Sequence, residues 1–126
     1  MKIIVDGYCL GNPGQAGYKG INADTKEELF KEDIGIATNN IAEYLAICHA
    51  FHYAQKNKFD IYVISDSLTA ISWVRKNRTN SSHKGDIISR VEKAQEYVRT
   101  IAKNEYVLEK WDTKKNGENP ADFGNK

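Results

Sequence analysis

The chain has 126 residues, with 18 basic and 17 acidic side chains and a formal net charge of +1. Its length suits a single domain over residues 1–126; seven Tyr, four Phe and two Trp in a 40% hydrophobic chain exclude disorder. The charge balance neither demands nor excludes a nucleic-acid partner, and no apolar run nears the roughly 18–20 residues of a membrane span.

Taken in chain order, Lys2–Tyr8 is predicted as a strand, with β-branched Ile3, Ile4 and Val5 running into Asp6-Gly7. The Asp this early leaves no signal peptide to expect. Leu10–Gly20 is glycine-rich, with a turn at Asn12-Pro13-Gly14. Tyr18–Ala23 reads as a second strand, Asp24-Thr25-Lys26 as a hairpin turn, and Glu28–Ala37 as a third strand with Leu29, Ile34 and Ile36 turned inward. Strands this close in sequence pair antiparallel. The period then changes. Thr38, Asn39 and Asn40 are helix-starting residues. Asn40 and Glu43 fit a loose capping box, and Ile41, Leu45, Cys48 and His52 share a face of a helix reaching Lys56. Asp60–Ser65 is a short buried strand ending at Asp66. Helices follow over Leu68–Lys76 and Asp86–Lys103, with a polar loop, Thr79–Ser82, between them. Tyr106–Trp111 is a last strand. After the polar loop Asp112–Glu118, Asn119-Pro120 reads as an N-cap and first position of a final helix.

The order β-β-β-α-β-α-α-β-α implies an α/β fold: a five-stranded mixed sheet, three antiparallel strands and then two parallel, with helices on both faces. The strands that carry Asp6 and Asp66 would lie side by side and parallel, joined through the Asn40–Lys56 helix. Asp6 and Asp66 then meet near the sheet centre, and Glu43 reaches the same place. Carboxylates that close repel one another. Hard oxygen donors without His or Cys suit Mg²⁺ or Mn²⁺ rather than zinc. Taken singly, Asp6-Gly7 is an ordinary strand end, Glu43 a cap, Asp66-Ser67 an N-cap and Asp122 a dipole-favoured helix start; the conjunction is what points to chemistry. Cys9 and Cys48 read as free thiols of a cytoplasmic chain, a single bridge being the alternative. His49 and His52 read as helix-face residues.

Four stretches resemble type 1 ribonuclease H: Asp6-Gly7-Tyr8-Cys9-Leu10-Gly11-Asn12-Pro13-Gly14, Thr38-Asn39-Asn40-Ile41-Ala42-Glu43, Ser65-Asp66-Ser67, and Asn119-Pro120-Ala121-Asp122. The resemblance implies a ribonuclease H-like fold and a two-metal endonuclease acting on the RNA strand of RNA–DNA hybrids, leaving 5′-phosphate and 3′-hydroxyl ends. It implies two Mg²⁺ ions, with Mn²⁺ as a substitute. Asp6 would bridge them, Asp122 would help hold the ion that activates water, and Glu43 and Asp66 would hold the ion at the leaving 3′-oxygen. Gly7 and the loop to Asn12, with Asn39 and Asn40, would line the minor groove, where the 2′-hydroxyl separates RNA from DNA. Asn12 and Thr38 would take a DNA phosphate, and Ser67 would also bind substrate. A monomer is expected.

The chain departs from that pattern. Tyr8 stands where the family usually has Ser, Leu68 where many members have Gln, and Asp112–Glu118 offers no His. The Asn119–Asp122 spacing is one residue short. Arg75, Lys76, Arg78, His83 and Lys84 with Trp73 form a reduced basic patch that would hold the DNA backbone, or else a solvated helix end. The alternatives are a catalytically impaired hybrid-binding module, another nuclease of the same fold, or a structural α/β domain.

Overall fold

The computed structural model describes residues 1–11, 13–78, 87–112, 117 and 119–121. Five strands form one sheet: β1 (Ile3–Gly11), β2 (Gly14–Asn22), β3 (Glu28–Ala37), β4 (Ile61–Ser65) and β5 (Tyr106–Lys110). Their order across the sheet is β3-β2-β1-β4-β5. β1 pairs antiparallel with β2 and β2 with β3, while β1–β4 and β4–β5 are parallel. Three helices join them: α1 (Asn39–Lys56), α2 (Leu68–Lys76) and α3 (Ile87–Arg99). The expected α/β fold with a five-stranded mixed sheet therefore holds; among the described residues the three helices pack on one face of it, not on both. Among the described residues no helix is long and apolar enough to cross a membrane.

The main core lies between one sheet face and the three helices. Ile3 and Val5 of β1, Ala16 and Tyr18 of β2 and Val63 of β4 pack there with α1, with Ala70, Ile71, Trp73 and Val74 of α2, and with Val91 and Val98 of α3. α1 carries more of this than a single apolar stripe: every residue from Ile41 to Cys48 is buried. It lies on the sheet and under both other helices, so it is apolar nearly all round. His52, expected on the buried face, is exposed. The opposite face has a smaller cluster, Ile4, Ile21 and Ala121, with Ile64 and Trp111 packed against it. The helix expected after Pro120 falls beyond the described residues.

Several boundaries differ from expectation. The glycine-rich stretch is mostly strand, because β1 runs on to Gly11 and β2 begins at Gly14. α3 ends at Arg99, short of the expected Lys103, where a 3₁₀ turn, Lys103–Glu105, begins. Ile36 is 64% exposed rather than inward. A register shift between Ala16 and Gly17 and a positive φ of 78° at Gly35 reset the alternation of β3, so Ile34 and Ala37 both face the core. The cap of α1 is Thr38, whose Oγ1 accepts from the Ile41 amide at 3.3 Å; Asn40 does not cap it. Both cysteines are free thiols.

Candidate active site

Asp6 lies on β1 immediately after the stretch paired in parallel with β4, where Val5 faces Ser65. Asp66 follows Ser65, so the two acids leave neighbouring strands at the same level. Ser65 is fully buried, and its Oγ accepts from the Ser67 amide at 3.1 Å. Ser67 in turn caps α2 by accepting from the Ala70 amide at 3.1 Å. This pair of side-chain bonds turns the chain sharply at Asp66, between strand and helix.

Glu43 comes from the first turns of α1. Gly7 lets it approach: a Cβ on Gly7 would stand 2.9 Å from the Glu43 amide nitrogen and 3.0 Å from the Ala42 Cβ. With hydrogen at that position, α1 rests directly on β1. Ligand oxygens of Asp6, Glu43 and Asp66 all lie within 4.8 Å of one another. Asp6 is 0% and Glu43 1% exposed, whereas Asp66 is half-buried and opens the cluster to solvent. Three anionic side chains this close, two of them buried, are costly unless opposite charge offsets them. An all-carboxylate set of this size fits a hard divalent cation such as Mg²⁺ or Mn²⁺, and lacks the N or S donors zinc favours.

Other predicted residues surround this cluster unevenly. Gly7 is buried under α1, and half-buried Asn39 and exposed Asn40 open the helix beside the cap Thr38. Ser67 stands next to Asp66. Asn12 and Asp122 lie outside the described residues. Asn119 is 6% exposed and anchors the C-terminal segment: its Nδ2 donates to the Val5 carbonyl at 3.3 Å, one residue from Asp6, and its Oδ1 accepts from the Ala121 amide at 2.8 Å. The N-cap pattern Asn119-Pro120 foreshadowed the second bond; nothing in the sequence announced the first.

The expected basic patch is dismantled in part. Trp73 is 6% exposed and packs edge-on to Tyr44, and Arg75 donates to the Leu108 carbonyl at 2.6 Å. His83 and Lys84 lie outside the described residues. His49 is structural, as expected. Its ring stacks on Phe30 with centroids 4.0 Å apart, and its Nδ1 is 2.8 Å from the Tyr18 hydroxyl. Burial there holds its pKa below the ordinary value, and burial raises those of Tyr18 and Cys48.

A mixed sheet with a parallel pair at its centre, and three carboxylates converging where that pair ends, defines an α/β scaffold with an acidic cluster whose donor set suits a hard cation. Comparison with known proteins specifies the family. The RNase H family model matches residues 1–118, and the chain belongs to that family. The match stops short of Asp122. Ribonuclease H of Enterobacter sp. (strain 638) is 36% identical over 84 residues, covering 66% of this chain and 51% of the relative. Ribonuclease H of Neorickettsia sennetsu is 33% identical over 90 residues, covering 64% and 60%. The chain thus spans about half the length of the curated relatives it matches. Among solved structures, the N-terminal RNase H domain of Rv2228c from Mycobacterium tuberculosis, fused to maltose-binding protein, is 28% identical with a TM-score of 0.58 over 89% of this chain and 87% of that one. LC11-RNase H1 isolated from compost, solved in complex with RNA/DNA hybrid, shares the fold at 22% identity and a TM-score of 0.61, over 91% and 87%.

Proposed function

We propose that this chain is a ribonuclease H: a metal-dependent endonuclease that hydrolyses the RNA strand of RNA–DNA hybrids. The observation that carries this reading is the convergence of Asp6, Glu43 and Asp66 within 4.8 Å at the end of the parallel strand pair. Family membership and the hybrid bound by LC11-RNase H1 support it.

In this reading the three carboxylates hold divalent ions, and Asp122 is the fourth ligand, carried by its place in the Asn119–Asp122 motif. Held there, Mg²⁺ would supply positive charge that offsets the phosphodiester and would polarise and orient the attacking water. Asp6 and Glu43, both buried, fix the ligand geometry before substrate arrives, so little reorganisation is needed as charge develops. Half-buried Asp66 forms the solvent side, where the scissile phosphate enters. Asn39 and Asn40, on the first turn of α1, carry amides that both donate and accept, as reading of a 2′-hydroxyl requires. By the family motif, Gly7 and Asn12 would contribute to reading the same groove, with Ser67 beside Asp66. Asn12 and Thr38 take a phosphate of the DNA strand. The products carry 5′-phosphate and 3′-hydroxyl ends.

The test is cleavage of an end-labelled RNA–DNA hybrid with Mg²⁺, with Mn²⁺ and with chelator, beside single-stranded RNA, double-stranded RNA and double-stranded DNA. Metal-dependent cutting of the hybrid alone is expected, with a 5′-phosphate on the downstream fragment and a 3′-hydroxyl on the upstream one. Salt-sensitive hybrid binding without cutting of any substrate would replace the enzyme by a binding module. Cutting of DNA duplex would replace it by another nuclease of the same fold.

A further inference from the structure

The sheet face that carries Asp6 is covered at one end by Ala121 and Trp111 and open at the other. Tyr8, two residues beyond Asp6 on β1, points to this same face, about 6.6 Å further along the strand. It faces Gly17 of β2, which in turn faces Asp33 of β3. The Tyr8 ring lies over Gly17: a Cβ there would stand 2.6 Å from its Cε1 and 2.8 Å from its Cζ. Beyond Gly17 the Tyr8 hydroxyl donates to Asp33 Oδ1. The ring is thus laid across β2 and tethered on β3, with its outer side toward solvent.

Its surroundings on the same face have the character of a nucleic-acid strand site. Lys19 pairs across from Asp6, and Lys31 across from Lys19, on the cluster side of Tyr8. On its other side Leu10 and Ile36, 56% and 64% exposed, flank Gln15. Cations beside a half-buried, immobilised aromatic can hold a nucleic-acid backbone: charge meets the phosphates and the ring face packs on a sugar.

Building on the ribonuclease reading, we propose that Tyr8, laid flat by Gly17 and Asp33, packs its ring face on a backbone sugar of the hybrid next to the phosphodiester held at the Asp6–Glu43–Asp66 cluster. Tyr8 is a substrate-binding residue of this chain and takes no part in the proton transfers.

The experiment compares cleavage of an RNA–DNA hybrid by wild type, Tyr8→Ser, Tyr8→Phe and Asp33→Asn. Tyr8→Ser should raise KM about fivefold, the scale of one aromatic contact, with a much smaller change in kcat. Tyr8→Phe, which keeps the ring, should restore most of the affinity, and Asp33→Asn, which keeps an acceptor for the Tyr8 hydroxyl, should stay near wild type. An unchanged KM in Tyr8→Ser, or a lower KM as from relieved crowding, would overturn the proposal. Failure of wild type itself to cut the hybrid would instead remove the ribonuclease reading, which the wild-type lane reports separately.

Discussion

The two faces of the sheet are built to different ends. The helix-covered face is saturated with apolar side chains; α1 alone contributes Ile41, Tyr44, Ile47 and Phe51 at 1% exposure or less. The other face has a three-residue buried cluster at one end and exposed Leu10 and Ile36 at the other. Asp6 stands between those two ends, and Glu43 arrives from the covered side through the gap left by Gly7. Rigid packing on one face thus fixes the ligands of a site that opens toward the other. Stability is concentrated on one side, and substrate contact is left to the side with room for it.

That division is open to attack by substitution. Phe51→Ala, in the covered core against Tyr106, should cost about 3–5 kcal/mol, whereas Ile36→Ser on the open face should stay within about 0.5 kcal/mol. Urea unfolding of the two variants checks the contrast, and equal losses would break it. Gly7→Ala joins the two faces. Its methyl must displace the first turn of α1, which costs about 1–3 kcal/mol of overpacking and pulls Glu43 from Asp6. Loss of Mg²⁺-dependent cleavage under conditions where the variant remains folded is the expected result.

A smaller effect comes from His49, held neutral on the covered face mainly by burial. The charges of His52 and Arg90 act in the same direction and Glu32 opposes them. The unfolded chain takes up this proton near the ordinary value of 6.5, and the folded chain only at lower pH. Between those limits the unfolded state binds more protons, so stability rises with pH. The contribution is complete above 6.5 and is lost as pH falls below it. Urea midpoints at pH 7.5 and 5.5 should therefore differ more for wild type than for His49→Gln.

Much of this architecture is legible in local sequence. β-branched Ile3–Val5, the helix start at Thr38–Asn40 and the apolar run Ile61–Ser65 each carry their own signal, and their order brings Asp6, Glu43 and Asp66 together. Ile36 was misplaced because a bulge across Ala16 and Gly17 and the positive φ of Gly35 are properties of a strand pair, invisible to the alternation of one strand. Thr38 displaced Asn40 as the cap because several consecutive residues can cap equally well on paper. Arg75 looked like a solvent cation until β5 supplied the Leu108 carbonyl from 33 residues away. The tether from Tyr8 to Asp33 and the anchor from Asn119 to Val5 span 25 and 114 residues, and only the folded sheet brings those partners together.

The central claim is that the converged carboxylates do metal-dependent chemistry on a hybrid. The measurement that meets it most directly is the cleavage rate of a labelled RNA–DNA hybrid in Mg²⁺ by wild type and by Asp66→Asn, with circular dichroism confirming that both are folded. Asp66 is half-buried, so the substitution changes charge and leaves packing intact. Hybrid cutting by wild type, lost on chelation and reduced at least about a hundredfold in Asp66→Asn, is predicted from the scale of removing one group from a preorganised site. Equal rates in the two proteins would contradict the account and take Asp66 out of the site.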